Sequence, residues 1–477
     1  MRLIPIYTWT KGIRNFGHRR RRFFNQPWAQ GVILLCCVIA AMLLANLPFT
    51  KEAYHSILET KLSLYFNSPG GKGILFPKGM TVEGFINDIL MTVFFFTVGL
   101  EIRREMINGE LSSVKKAMMP VIAAFGGVLV PALIFVLVNH GTAASSGWGI
   151  PTATDIAFAI GILSVLGDKV PVSLKVFLTA LAIVDDLIAI LVVAIFYGGT
   201  INLGLLSIAV VLIIGVLLMN KLGEKRVWFY LVPALVIWIL FYYSGIHSTM
   251  SGVVMAFLIP TRPRYNEAYF KRKRLQYIHK LNEYNGLNPF PGMIPNAPQR
   301  HCLRQLENIS KGAIPMSYRY EHALAPWVNF IIMPLFALAN AGVEIPDLSY
   351  FNVFRFDPVL GGVSMGIFLG LLLGKPIGIS IASFLAVRFH AGEMPANSTW
   401  KMLFAVACLG GIGFTMSIFV DTLSFGEQAP EVTAQLRDMG KVAVLMGSLC
   451  AGLLGSLLIA LIHKKNERRR ISRGPSL

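Results

Sequence analysis

Charge is scarce in this sequence. Only 14% of its 477 residues are Asp, Glu, Lys or Arg, while 55% are hydrophobic, and an ordinary soluble domain carries about 25% charge. So few charges cannot cover a water-facing surface, which excludes a soluble fold and implies one embedded in lipid. Cysteine is sparse as well: Cys36, Cys37, Cys302, Cys408 and Cys450. Four of these lie inside apolar runs and none stands at metal-ligand spacing from histidine, so no disulfide framework is implied. They read as thiols packed like small hydrophobes. Acidic residues number 25 against 43 Lys and Arg, a net charge of +18. The basic residues sit at the ends of apolar runs and in particular loops instead of forming one basic face, which argues against nucleic acid as a partner.

What the chain has in abundance is long apolar runs. About twelve approach or reach the roughly 17 to 25 residues a helix needs to cross a bilayer, several of them short or interrupted: 28–49, 85–106, 117–139, 150–166, 173–197, 203–219, 227–242, 245–260, 325–342, 361–387, 402–424 and 440–462. The first is long for a signal-peptide core and no small-x-small cleavage site follows it clearly, so it reads as a retained anchor. Arg19–Arg22, Lys115, Lys116, Lys221, Lys225, Arg226, Lys464, Lys465 and Arg468–Arg470 all fall on one side of this array. Loops 140–149 and 198–202 on the other side contain no Lys or Arg, and 421–438 is net acidic. The positive-inside rule puts both termini in the cytoplasm. The expected organisation is a basic segment 1–27, helices one to eight over 28–260, a cytoplasmic insertion 261–322, helices nine to twelve over 323–463 and a basic tail 464–477. The insertion is either partly helical or disordered, and its basic opening, RPRYNEAYFKRKR, suits anionic lipid headgroups.

Two runs are interrupted. Pro151, two threonines and Asp155 break 147–166, while Gly410, Gly411 and Gly413 break 408–420. Paired interruptions of this kind point toward an inverted-repeat transporter with its site at the crossing, although glycines also serve close helix packing. Near mid-membrane lie Asp155, Asp185, Asp186 and Lys375, which together cost on the order of 10 to 14 kcal/mol unless paired or hydrated. One lysine can offset one aspartate and leaves two carboxylates, so burial for packing alone is a poor explanation.

Adjacent helical residues project about 100° apart, so Asp185 and Asp186 can divide the work. One faces a water-filled funnel as an oxygen ligand for a hard cation such as Na+, and the other leans toward Lys375. Thr154 is placed to add an oxygen. Competition between proton and cation near neutral pH requires about 4 kcal/mol relative to a carboxylate in water, which burial and a like-charged neighbour can supply. Lys375 either pairs with Asp185 or offsets the negative C-terminal ends of broken half-helices, with Asp155 offsetting their positive N-terminal ends. Glu101, Arg103, Arg104 and Glu105 at the end of the second run read as a solvated salt-bridge cluster or, with Glu321 and His322, as a pH-responsive funnel. An intramembrane aspartyl protease would use two membrane aspartates but has no role for Lys375, and a channel has no need of proton coupling.

The segments FINDILMTVFFFTVGLEIRREM, TATDIAFAIG, LTALAIVDDLIAI, PLFALANAGV, LLLGKPIGI and GGIGFTMSIF resemble the signature segments of the bacterial NhaA-type Na+/H+ antiporters. That resemblance, running from about 28 to 462, implies an all-α polytopic fold of about twelve helices with inverted repeats and two broken crossing helices. It implies electrogenic, pH-regulated exchange of Na+ or Li+ for protons at the inner membrane, often by a homodimer and without a cofactor. It makes Asp186 the main cation ligand and Asp185 the proton-linked partner of Lys375. Thr154 and Asp155 become the unwound crossing segment, and Glu101, Arg104, Glu105, Glu321 and His322 the pH-regulating positions. Ala325 stands where some members have a further histidine, and the long insertion precedes Glu321; both bear on the pH set-point.

Overall fold

The computed structural model describes residues 26–62, 80–224, 226–287, 295–345, 348–358, 360–426 and 429–472. The basic residues Arg19–Arg22 and Lys225 lie outside these. Almost everything described is helix, and one short antiparallel pairing joins Lys61–Leu62 to Met80–Thr81. Each of the twelve apolar runs contains a helix. Among the described residues, nine helices are long and apolar enough to cross a membrane, and a tenth span is the bent pair Trp400–Gly410 and Phe414–Ser424. The other two runs form shorter helices, Trp228–Ser244 of 17 residues and Met250–Leu258 of nine. Gly245 separates them at φ +86°, and a Cβ there would lie 2.2 Å from the Thr200 carbonyl oxygen, so the chain turns where no side chain fits.

The helices carry apolar residues outward as well as inward, as lipid requires. On Val114–Val138, Leu129, Leu133 and Leu137 are exposed while Ala123, Ala124 and Gly127 are buried. Small residues along this stretch thus face the protein, the arrangement by which helices pack where no hydrophobic effect drives them together. Val114–Val138 meets Lys375–Arg388 at its closest through Gly126 and Gly378, where a Cβ on either would fall within 2.4 Å of the other's carbonyl oxygen.

The fold divides into two compact units. One comprises the described residues up to Phe94, Glu105–Gly199 and those from Val328 onward, and holds both interrupted helices. The second comprises Phe95–Arg104 and Thr200–Trp327, with its own core of Ala209, Val216, Tyr230, Ile237, Phe241 and Met255. Within that second unit the 261–322 insertion is helical, as Glu267–Leu287 and Ala297–Ala313. Asn296 and Gln299 start the latter with reciprocal capping bonds, and the Arg264 and Tyr265 amides donate to the Gly312 carbonyl to close the hairpin.

Candidate functional site

The first interruption is a change of backbone state. Ala143–Thr152 winds as a tight 3-10 helix, 153–155 is extended, and Ile156–Leu166 resumes as α-helix. Pro151, which has no amide to donate, lies at the end of the 3-10 helix just before the extended stretch. In the second, the Trp400–Gly410 helix ends, the chain bends by 48°, and Phe414–Ser424 begins. The bend needs glycine: a Cβ at Gly411 would come within 2.3 Å of the Leu371 carbonyl oxygen.

The two interruptions touch through Asp155, whose amide donates to the Ile412 carbonyl at 2.6 Å. Its carboxylate serves both resuming half-helices. Oδ1 accepts the Phe158 amide at 3.2 Å, and Oδ2 accepts the Thr415 amide at 3.2 Å and the Thr415 hydroxyl at 2.5 Å. One negative charge therefore sits at two positive helix N-termini. Ser448, from the Pro430–Ser472 helix, accepts the Gly413 and Phe414 amides at 3.2 and 3.1 Å and completes that cap.

The helix Val172–Phe196 brings Asp185 and Asp186 to the same region, 0% and 2% exposed. Lys375 is 0% exposed. It follows the π-helical turn Gly370–Gly374, whose extra residue per turn re-aims what comes next. Its ammonium donates to Asp185 Oδ2 at 2.5 Å and to the Thr154 hydroxyl at 2.7 Å. The Thr154 oxygen is in turn 2.7 Å from Asp185 Oδ2 and 2.8 Å from the Gly410 carbonyl, to either of which it can donate. Asp185 Oδ1 is buried with no hydrogen-bond partner among the described residues. Lys375 thus reaches Asp185 directly, and the Thr154 hydroxyl that it bonds lies beside the carbonyl of Gly410 at the end of a half-helix.

The pattern of the Na+/H+ antiporter 1 family matches residues 21–459. The chain belongs to that family. The "Na(+)/H(+) antiporter NhaA" of Oleidesulfovibrio alaskensis is 40% identical over 447 residues, covering 94% of each chain. That of Pelagibacter ubique is 40% identical over 454 residues, 95% of this chain and all of its own. A protein of Flavobacterium johnsoniae, "Na(+)/H(+) antiporter NhaA 2", is 41% identical over 457 residues, 94% of this chain and 93% of its own.

In this member of the Na+/H+ antiporter 1 family Arg104 lies within reach of two acids. Arg104 Nε lies 2.9 Å from Glu321 Oε1 and its terminal nitrogen 3.9 Å from Glu101 Oε1, all in the second unit. His322 is exposed on the helix bearing Glu321, its Nδ1 at 3.1 Å from the Tyr318 carbonyl and its ring against that of Tyr318. Glu105 Oε2 accepts the Glu110 amide at 3.1 Å and shapes the turn after its own helix. Thr415 and Ser448 also bind the crossing, and no charge or motif of their own marks them in the sequence. A threonine and a serine inside apolar runs are weak signals, because such hydroxyls commonly satisfy their own helix.

Proposed function

We propose that this transporter exchanges Na+ or Li+ for protons across the bacterial inner membrane, electrogenically and under pH control, by competition for Asp185 and Asp186. The observation that carries the reading is the wholly buried trio Lys375, Asp185 and Thr154 beside Asp186. An ammonium on a carboxylate away from water is worth its desolvation only while the pair is intact. A cation arriving at Asp186, Asp185 and Thr154 competes with that ammonium and with protons for the same oxygens, which are the hard ligands an alkali ion prefers. A cycle in which two carboxyl groups surrender protons to one Na+ moves net charge. The bare state is the costly one, since two carboxylates without cation or proton repel each other in a low-dielectric site, and this suppresses leak.

Asp155 and Lys375 act in this reading as charge compensators for the broken helices. Glu101, Arg104, Glu105, Glu321 and His322 carry the pH response. Both termini face the cytoplasm, and a homodimer within the lipid bilayer is the working assembly.

The test is a pH-probe assay in everted vesicles with Na+, Li+ and K+ at neutral to alkaline pH. Wild type should release protons on adding Na+ or Li+ and ignore K+, while Asp186→Asn should lose the response. Sodium-driven proton movement by Asp186→Asn at the wild-type level would overturn the assignment.

A further inference from the structure

A fourth buried aspartate belongs to none of these contacts. Asp421 lies on Phe414–Ser424, six residues beyond Thr415 and so about 9 Å further along the helix. It is 0% exposed, and neither carboxyl oxygen has a hydrogen-bond partner among the described residues. Its space is made by a glycine: a Cβ at Gly440 on Pro430–Ser472 would lie 2.0 Å from Oδ1. The charged groups around it are Arg437, Lys441 and Asp438 from that helix, and Tyr197 at the end of Val172–Phe196 also faces it. The other elements packed on Phe414–Ser424, Ala143–Thr152 and Met333–Asn340, contribute no acid or base. Asp438 in turn faces Lys441, Glu344 and His55.

Arg437 Nε is itself buried with no acceptor among the described residues. A carboxyl group packed on Gly440 and one guanidinium N–H a turn earlier on the same helix are thus both without a partner among the described residues, although buried polar groups are nearly always paired. A carboxylate could not stay ionised with both oxygens bare and dry, whereas a protonated acid can. The two orphans are satisfied together if the helices part enough for Asp421 to ionise against Arg437. The same helix holds Asp155 at its other end, so its movement connects this carboxyl to the crossing.

We propose that Asp421 is a second proton-binding station, on the route between the crossing and the face bearing 421–438: protonated in the packing seen here, it releases its proton to water at that face and pairs with Arg437 when the helices separate. The inference rests on the exchange reading above. It separates Asp421 from an acid kept only for packing, which would have kept partners.

The experiment uses the full chain in proteoliposomes of known orientation, with pH varied at the 421–438 face and held at the other. Asp421→Asn should slow sodium-driven proton movement on the order of 10²-fold, the usual worth of a positioned proton carrier, and abolish the dependence on pH at that face. Asp421→Glu should restore part of the rate together with that dependence. A wild-type rate and wild-type profile in Asp421→Asn would overturn the proposal. Should that variant not assemble, Arg437→Gln decides: a profile displaced to higher pH supports the station, because the anion has lost its partner, and an unchanged profile overturns it. Wild type that moves no protons on adding sodium fails the exchange reading, whereas wild-type exchange with an indifferent Asp421→Asn fails this inference alone.

Discussion

Lys375 and Asp185 form an ion pair from which water is excluded, and such a pair is informative because its two halves are not equivalent to the whole. Removing one partner leaves an uncompensated charge and typically costs about 3 to 5 kcal/mol, while replacing both with apolar groups is often neutral. Lys375→Ala should therefore lower the unfolding temperature in detergent substantially. Lys375→Met combined with Asp185→Leu should recover most of the loss while remaining inactive in sodium-driven proton movement. If the double variant were less stable than either single one, the pair would be a net source of stability and not a functional burden. Asp155 is different, because its carboxylate is committed to the Phe158 and Thr415 amides and the Thr415 hydroxyl. It is a capping charge for two helices, and a neutral Asn would keep part of that role.

The helices that carry these groups depend on residues that take the place of side chains. Gly126 and Gly378 let Val114–Val138 and Lys375–Arg388 approach to backbone contact, and that approach sets where Lys375 starts. Gly378→Ala would drive its Cβ to 2.1 Å from the Gly126 carbonyl oxygen, against backbone that has no rotamer to yield. We expect a cost of about 1 to 3 kcal/mol for this overpacking, read as a fall in unfolding temperature, and a loss of exchange as the lysine is displaced. Gly215 on Leu203–Lys221 is the control, with nothing within 4 Å of its added Cβ. Gly215→Ala should be neutral or stabilise by up to about 1 kcal/mol through helix propensity. Equal losses at the two positions would remove the close crossing as the explanation.

For the molecule as a whole, the distribution of charge matters more than its sum. The excess of 18 positive charges sits at helix ends and in certain loops, the pattern that retains loops in the cytoplasm. A green fluorescent protein fused after the last residue should fluoresce, and an alkaline phosphatase fused there should be inactive. Active phosphatase would reverse the proposed orientation and with it the face assigned to Asp421. The insertion 261–322 carries a helical hairpin in the second unit, so it is a folded element and not merely a tether.

Membrane residence, the family and the four buried charges Asp155, Asp185, Asp186 and Lys375 were all readable along the chain, because apolar run length and the charged residues interrupting it are local properties of sequence. The two interruptions were readable for the same reason: Pro151 and the 410–413 glycines announce themselves. The extent of the helices was less so, since Met250–Leu258 covers only nine residues of the 245–260 run, and run length does not register where the backbone turns. Which oxygen meets which donor emerged only in the folded chain. Lys375 bonds Asp185 across 190 positions and Thr415 bonds Asp155 across 260, and no periodicity encodes contacts between helices so distant. The same holds for Ser448, Gly440 and the bare carboxyl of Asp421, whose meaning lies in what packs against them and not in the residues beside them.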